Sequence, residues 1–219
     1  MKRSKITILL AIVLGMTFHS CLDLEPQDQL GGKNMWTSVN DYKQFANTFY
    51  SWTRDFSSVV YDGTHSDKRS DLITYQSYNE FSRGINSIPS SDANYTDNYK
   101  HIRRTNLLLQ NAEAYAKPED IKQYIGEAYF FRAYSYFDLL QLYGDVIITK
   151  KPLDITDPEM KVKRNDRSEV VDLIIDDLNH AVENLPAFKE LTTEEEGRIS
   201  KEGAQAFLSR VALYEGTWQ

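Results

Sequence analysis

The chain has 219 residues, of which 41 % are hydrophobic and 26 % are charged, and this is the ordinary composition of a globular protein with a real core. The formal net charge is −7, and residues 1–20 carry basic side chains but no acidic one, so the rest of the chain is more acidic still. Because an acidic surface repels phosphate backbones, this charge argues against a nucleic-acid-binding protein.

The first 20 residues have the organisation of a secretory signal peptide. Lys2, Arg3 and Lys5 form a basic region, and a nearly continuous apolar run follows from Ile6 to Met16. The run is too short to cross a bilayer of about 30 Å as a helix, but its length suits the apolar region of a signal peptide. The sequence therefore predicts a signal peptide over residues 1–20.

Cys21 is the one cysteine of the chain, and it comes directly after this segment. It cannot form a disulfide within the chain, which leaves a free thiol, an intermolecular bridge or an attachment point. Residues 18–21, Phe-His-Ser-Cys, resemble a bacterial lipobox, and the resemblance implies cleavage before Cys21 and acylation of the new N-terminus. Several acyl chains on one residue anchor a protein firmly in a membrane. The alternative is an ordinary signal peptide followed by a buried cysteine.

Residues 21–35 contain acids, a proline and two glycines without apolar periodicity, and they predict a tether ahead of the folded domain. A helical domain is predicted over residues 36–219. Its first helix is indicated by Ser38 and Asp41, which have the spacing of a capping box, and by an apolar stripe at helical spacing. The stripe consists of Tyr42, Phe45, Ala46 and Phe49.

A long polar segment runs from about Asp55 to Asp92, and it contains glycine, proline, many serines and scattered aromatic residues. A loop of this length is uncommon and often functional. Tyr75, Tyr78 and Phe81 lie here with no helical stripe to join, and an exposed ring can stack on the face of a sugar. We therefore predict that these three rings contact a ligand. The alternative is that they pack the loop against the helices.

The helix predicted from about Asp92 to Tyr115 carries a stripe of mainly apolar side chains. Asn106 falls on the same face, and a buried asparagine usually bonds to neighbouring backbone and fixes the register of packing. The stripe consists of Tyr95, Tyr99, Ile102 and Leu109.

The next helix is predicted from Pro118, a favoured first-turn residue, to Gly144, which suits the residue after a helix end. Between Ala128 and Tyr143 it is apolar on nearly every side, so we expect it to be central and buried. Charged residues inside such a helix need partners, because an unpaired buried charge is costly. These residues are Glu127, Arg132 and Asp138.

Two more helices are predicted after a short extended piece that ends near Pro152. Asp166 and Glu169 form a cap pair for the first of them, and Ser200 caps the second. Five helices with hardly any strand signal predict an all-α fold. Helices of these lengths, paired by short turns, resemble a tetratricopeptide-like helical repeat stack, although the repeat consensus is not matched strictly. The predicted fold is therefore such a stack with long loops in addition.

Motifs of catalysis and metal binding are missing from the sequence. His65, His101 and His180 lack the spacing of metal ligands, and the chain has neither a G-x-S-x-G motif nor a Gly-rich phosphate loop. Nothing in the sequence indicates a cofactor. These absences do not exclude an enzyme, but they remove the positive evidence for one, and we predict a protein that is not an enzyme, with no catalytic residues and no metal site.

Several stretches, in one order along the chain, resemble the SusD/RagB family of nutrient-binding lipoproteins. The most specific is GEAYFFRAYSYFDLLQLYGDV at Gly126–Val146, and YKHIRRTNLL at Tyr99–Leu108 precedes it. The others are the lipobox with its acidic tether, Trp36 before the first helix, and the last two helices. Ile147 departs from the family, whose members often carry proline there. Together these stretches span nearly the whole chain after the signal peptide.

The resemblance implies a SusD-like helical fold, a lipid anchor in the outer membrane at the cell surface, and a SusC-like TonB-dependent transporter as partner. It also implies that the protein binds an oligo- or polysaccharide, or a peptide, and passes this nutrient to the transporter. Family members are usually more than twice this length, so we expect a C-terminal part to be missing. Two alternatives stay open, which are an adaptor or scaffold subunit without its own ligand site, and a surface hydrolase.

Overall fold

The computed structural model describes residues 35–54, 83–154 and 156–217, except for the side chain of Met160. These residues form helices and connections without a β-strand, so the all-α prediction is confirmed. Five α-helices occur in them: α1 (Val39–Asn47), α2 (Ala93–Glu113), α3 (Lys122–Tyr143), α4 (Arg167–Asn184) and α5 (Lys201–Gly216). Short 3-10 helices occupy Thr48–Trp52, Pro118–Ile121, Pro158–Lys161, Phe188–Glu190 and Thr193–Glu195.

The helix ends follow from local sequence. The Ser38 hydroxyl accepts a hydrogen bond from the Asp41 amide, while the Asp41 carboxylate accepts one from the Ser38 amide, so the predicted capping box is confirmed. Ser200 caps α5 with one hydrogen bond, which its hydroxyl accepts from the Gly203 amide. Helix α3 ends at Tyr143, and the next residue, Gly144, has a φ of 67°, a conformation that glycine adopts without strain.

Two sequence-based details were wrong. Pro118 does not open an α-helix, because residues Pro118–Ile121 form a 3-10 turn and α3 begins at Lys122. Leu109 was predicted in the core stripe of α2, but the fully buried residue is Leu108, and Leu109 is only half-buried. Ile102 and Asn106 are buried as predicted, so the core face of α2 agrees with the predicted stripe at its middle and departs from it at Leu109.

Helix α3 lies at the centre of the stack, as predicted. It packs against α2 and α4 and touches α1, while α5 packs against α4. Its buried residues lie on all of its sides, which is why its apolar pattern has no single face. Phe131 of α3 is 1 % exposed and contacts the rings of Phe49, Tyr50 and Trp52.

Each charged residue inside α3 has a partner from another part of the chain. Both carboxylate oxygens of Glu127 accept from one guanidinium nitrogen of Arg198, at 2.8 and 2.7 Å. Burial raises the pKa of the Glu127 carboxyl to about 7, although Arg198 opposes this rise. Asp138 pairs with Arg54 and accepts a hydrogen bond from the Asn98 amide at 3.0 Å. The expectation that these charges need partners is confirmed.

Arg132 of α3 completes a buried network that joins three helices and a connection. Its guanidinium donates to both oxygens of Asp177 on α4, at 2.6 and 2.8 Å, and to the Asn106 side-chain oxygen on α2 at 2.8 Å. The Asn106 amide in turn donates to the carbonyls of Thr149 and Lys151, at 2.9 and 3.3 Å. The prediction that Asn106 is buried and bonded to neighbouring backbone is confirmed.

Candidate functional site

The site residues predicted from sequence lie outside the described residues. This holds for Cys21, the predicted point of acylation, and for Tyr75, Tyr78 and Phe81, the predicted ligand contacts. The predicted signal peptide, residues 1–20, also lies outside the described residues. So does the predicted tether, residues 21–35, except for Met35. All of these assignments stay predictions.

A groove of about 590 Å³ lies between α2 and the extended segment of residues 145–154. We call it the Tyr95 groove. A volume of this size is typical of pockets that hold small molecules or a few sugar units. Its described lining consists of Tyr95, Thr96, Tyr99, Lys100, Arg103, Ile147, Thr149, Lys151, Leu153 and Glu159.

The two walls of the groove are built by different spacings along the sequence, one typical of a helix and one typical of an extended chain. Tyr95, Tyr99 and Arg103 are four residues apart along α2, so they share one face of the helix. Along the extended segment every second side chain points the same way, and this brings Ile147, Thr149, Lys151 and Leu153 to the groove. The groove is thus a helix face opposed to one side of an extended chain.

Two tyrosine hydroxyls form the backbone hydrogen bonds that a neighbouring strand would form with the extended segment. The Tyr99 hydroxyl donates to the Ile147 carbonyl at 2.8 Å and accepts from the Ile147 amide at 2.9 Å. The Tyr136 hydroxyl donates to the Thr149 carbonyl at 3.2 Å and accepts from the Thr149 amide at 2.7 Å. Burial raises the pKa of both tyrosines, so the hydroxyls stay neutral and can donate as well as accept.

The opposite edge of the same segment is satisfied by Asn165. Its amide donates to the Val146 carbonyl at 2.9 Å, and its side-chain oxygen accepts from the Ile148 amide at 2.9 Å. Since both edges are bonded, the floor of the groove is held in one conformation. A site with a fixed floor loses little entropy when a ligand binds.

The apolar part of the groove is aromatic. The half-buried Tyr95 ring lies 4.8 Å from the Tyr99 ring and 5.2 Å from the Tyr143 ring, measured between centroids. Tyr95 and Tyr99 were predicted to belong to the packing stripe of α2, and the structure instead places both at the boundary between core and groove. The opposite wall had no sequence signal of this kind, because apolar and polar residues do not alternate there: Ile147 and Ile148 are both apolar, and Lys150 and Lys151 are both basic.

Charged side chains form the rim of the groove. Lys100 pairs with Asp97 at 2.8 Å, and Arg103 donates to the Leu153 carbonyl at 3.2 Å and lies 3.5 Å from Asp154. Lys151 pairs with Glu159 at 2.7 Å. All of these pairs are exposed to solvent, so each is a weak and replaceable contact.

A smaller cleft of about 160 Å³ lies on the other side of α2. The Trp52 ring stacks on His101 there, with centroids 4.1 Å apart and planes 14° from parallel. Burial lowers the pKa of His101 to about 4, so this imidazole is neutral near pH 7. The cleft is much smaller than the Tyr95 groove, about 160 against about 590 Å³, so the Tyr95 groove is the better candidate for a ligand.

The described part of the chain shows neither a metal-binding cluster nor a membrane-spanning helix. No group of three or more His, Cys, Asp or Glu side chains that could hold a metal ion occurs there. Among the same residues, no helix has the length and apolar content needed to span a bilayer.

The chain is similar in sequence to known proteins over most of its length. The family model described as starch-binding and associating with the outer membrane, of the SusD-like kind, matches residues 22–213. SusD-like protein P38 of Formosa agariphila is 28 % identical over 97 % of this chain and 42 % of its own length. SusD-like protein P2 of the same organism is 28 % identical, and the alignment covers 44 % of it. The chain therefore spans less than half the length of these relatives.

Solved structures of similar proteins have the same fold. A SusD-like protein of Bacteroides fragilis, 25 % identical, superimposes with a TM-score of 0.66 over 87 % of this chain and 37 % of its own. A laminarin-binding SusD-like protein, 31 % identical, superimposes with a TM-score of 0.56 over 63 % of this chain and 30 % of its own. The described helices thus correspond to part of the helical fold of these larger proteins.

Proposed function

This chain belongs to the SusD-like family, and from that membership we propose that it is a cell-surface lipoprotein that binds a glycan nutrient and delivers it to a SusC-like TonB-dependent transporter of the outer membrane. The match of the family model to residues 22–213 carries the proposal. The likeness to a laminarin-binding protein favours a glycan over a peptide as the nutrient. The protein acts by binding rather than by catalysis.

The Tyr95 groove supports the glycan-binding part of the proposal. An aromatic ring offers a flat apolar face to the C–H groups of a sugar, and the charged rim offers hydrogen bonds to its hydroxyls. The predicted contacts Tyr75, Tyr78 and Phe81 belong to the segment that precedes α2 in sequence, and they are proposed as a second set of sugar contacts.

We expect the full chain to bind a soluble glycan and Tyr95→Ala to weaken that binding roughly two- to tenfold, the range for one aromatic contact. Isothermal titration calorimetry with laminarin and starch oligosaccharides measures it. The matched control is Phe188→Ala, because Phe188 is 66 % exposed and lies outside the groove. A triple alanine variant of Tyr75, Tyr78 and Phe81 tests the second set separately.

Three other outcomes would contradict the proposal in different ways. Glycan affinity unchanged in both the Tyr95 and the triple variant would place the site elsewhere. A folded chain that binds the transporter but no glycan would favour the adaptor alternative. Release of shortened sugars during the titration would favour the hydrolase.

Anchoring and partnership are tested together in cells that express the chain with its transporter. We expect mass spectrometry to find lipid on an N-terminal Cys21, and the transporter to be recovered with the chain from detergent-solubilised outer membranes. Cys21→Ala should move the protein to the soluble fraction, because the predicted acyl chains would have no attachment point. A wild-type protein that starts at another residue and carries no lipid would reject the anchor. Recovery of the acylated chain alone would reject the partner.

A further inference from the structure

The Tyr95 groove brings together cationic side chains although the whole protein is acidic. The chain has a net charge of −7, whereas the described lining of the groove contains three cations, Lys100, Arg103 and Lys151, and one carboxylate, Glu159. Each of the three cations also has a carboxylate partner at the rim, and these partners are Asp97, Asp154 and Glu159. A groove that has three cations beside an aromatic wall has the features of a site for an anion if these cations can exchange their carboxylate partners for a ligand.

These cations are available to a ligand. The side chains of Lys100, Arg103 and Lys151 are 68 %, 52 % and 56 % exposed, and their carboxylate partners are at least half exposed. Pairs of this kind are held weakly, because water and salt screen them. A ligand carboxylate or sulfate can therefore replace a protein carboxylate without leaving a buried charge unpaired.

The cations also lie close to the position that the substituents of a sugar would occupy if its ring packed on the aromatic wall. Arg103 is on the face of α2 that carries Tyr95 and Tyr99, and Lys151 faces it from the extended segment. The Arg103 guanidinium is tied to the Leu153 carbonyl, and the Asn106 amide bonds the Lys151 carbonyl, so both backbones are fixed. A ring bound against Tyr95 would have cations on both walls.

We propose that the Tyr95 groove selects an acidic glycan, one whose sugars carry carboxylate or sulfate groups, with Lys151 and Arg103 binding the acid group and Glu159 competing with it for Lys151. This inference rests on the proposed glycan-binding function and adds its ligand class. Tetragalacturonate with its neutral methyl ester is the carboxylate probe. A κ-carrageenan tetrasaccharide with its desulfated form is the sulfate probe.

Two substitutions should change affinity in opposite directions. Lys151→Gln is expected to weaken binding of the charged probe about tenfold, since it removes a charge-assisted hydrogen bond. Glu159→Gln is expected to strengthen it several-fold, because the competing carboxylate is gone. A loss of structure would weaken binding in both variants, so opposite signs separate ligand recognition from a folding effect.

The matched control is Lys122→Gln. Lys122 also forms an exposed pair with a glutamate, Glu119, at 3.9 Å, but it does not line the groove. Calorimetry on the full chain should give the control wild-type affinity, and raising the salt concentration should weaken the charged probe and not its neutral partner. Which pair shows the difference identifies carboxylate or sulfate as the acid group.

Equal affinity for the charged and neutral members of both pairs, or an unchanged affinity in Glu159→Gln, would overturn the inference. Binding of laminarin or starch oligosaccharides together with failure of both charged probes would overturn it and leave the proposed function standing. Absence of binding to every glycan would reject both. Binding of a poly-glutamate peptide in the groove, competing with the charged probes at higher affinity, would reject a glycan as the selected ligand.

Discussion

Replacing Asp177 with alanine is expected to lower the free energy of unfolding by about 3–5 kcal/mol. Asp177 is fully buried, and both of its oxygens bond the guanidinium of Arg132, whose side chain is 6 % exposed. The substitution leaves that cation buried beside Asn106 without its counter-charge. Urea unfolding followed by circular dichroism measures the change.

Asp172→Ala is the matched control for this prediction, because Asp172 is an exposed carboxylate on the same helix, α4. Surface changes of this kind are usually within about 0.5 kcal/mol of the wild type. A double variant, Arg132→Leu with Asp177→Leu, should recover part of the lost stability, since it removes both charges. Equal unfolding midpoints for Asp177→Ala and Asp172→Ala would mean that the buried ion pair does not hold the helices together.

The consequence of this network extends to the groove. Arg132 bonds the Asn106 oxygen, and the Asn106 amide bonds the Thr149 and Lys151 carbonyls on the extended segment. A loss of Asp177 therefore loosens a chain of contacts that ends in the floor of the Tyr95 groove. The buried charges thus connect the stability of the stack with the shape of the candidate site.

Phe131→Ala is expected to destabilise the protein by about 3–5 kcal/mol, the cost of removing a large ring from a packed core. The centroid of the Phe131 ring lies 5.0 Å from that of Tyr50 and 5.7 Å from that of Phe49. Phe131 therefore joins α3 to the 3-10 helix Thr48–Trp52. A cavity left there cannot be filled without moving α3, which contacts α1, α2 and α4. Thermal and urea unfolding both report the loss.

Phe188→Ala serves as the comparison, because the Phe188 ring is 66 % exposed and the substitution creates no cavity. Its unfolding midpoint should remain close to that of the wild type. If Phe131→Ala shifted the midpoint no more than Phe188→Ala does, α3 would not be the core of the fold.

Features that depend on a few neighbouring residues were predictable. The capping pair of Ser38 and Asp41 and the cap at Ser200 were identified from the sequence, because a cap is a contact between residues three apart. The central position of α3 was also predictable, since a helix that is apolar on all sides can be stable only when other elements surround it. Family membership followed from ordered stretches of sequence and is confirmed by the match over residues 22–213.

The start of α3 and the core face of α2 were less well predicted. Proline at the first turn suits an α-helix and a 3-10 turn equally, so Pro118 could not decide between them. Leu108 and Leu109 are adjacent and equally apolar, and packing against α3 selected Leu108. In both cases the local pattern allowed two solutions, and contacts with the rest of the fold decided between them.

The sequence by itself determined that the chain is helical, where most helices begin and end, that its buried charges need partners, and which family it joins. Only the tertiary structure decided which partners those are, because Glu127 and Arg198, or Arg132 and Asp177, are far apart in sequence and meet only when α3 is surrounded. The same holds for the Tyr95 groove, whose two walls come from α2 and from residues 145–154. The helix face has a period that is visible in the local sequence, but its juxtaposition with the extended segment depends on long-range packing, which no local pattern records.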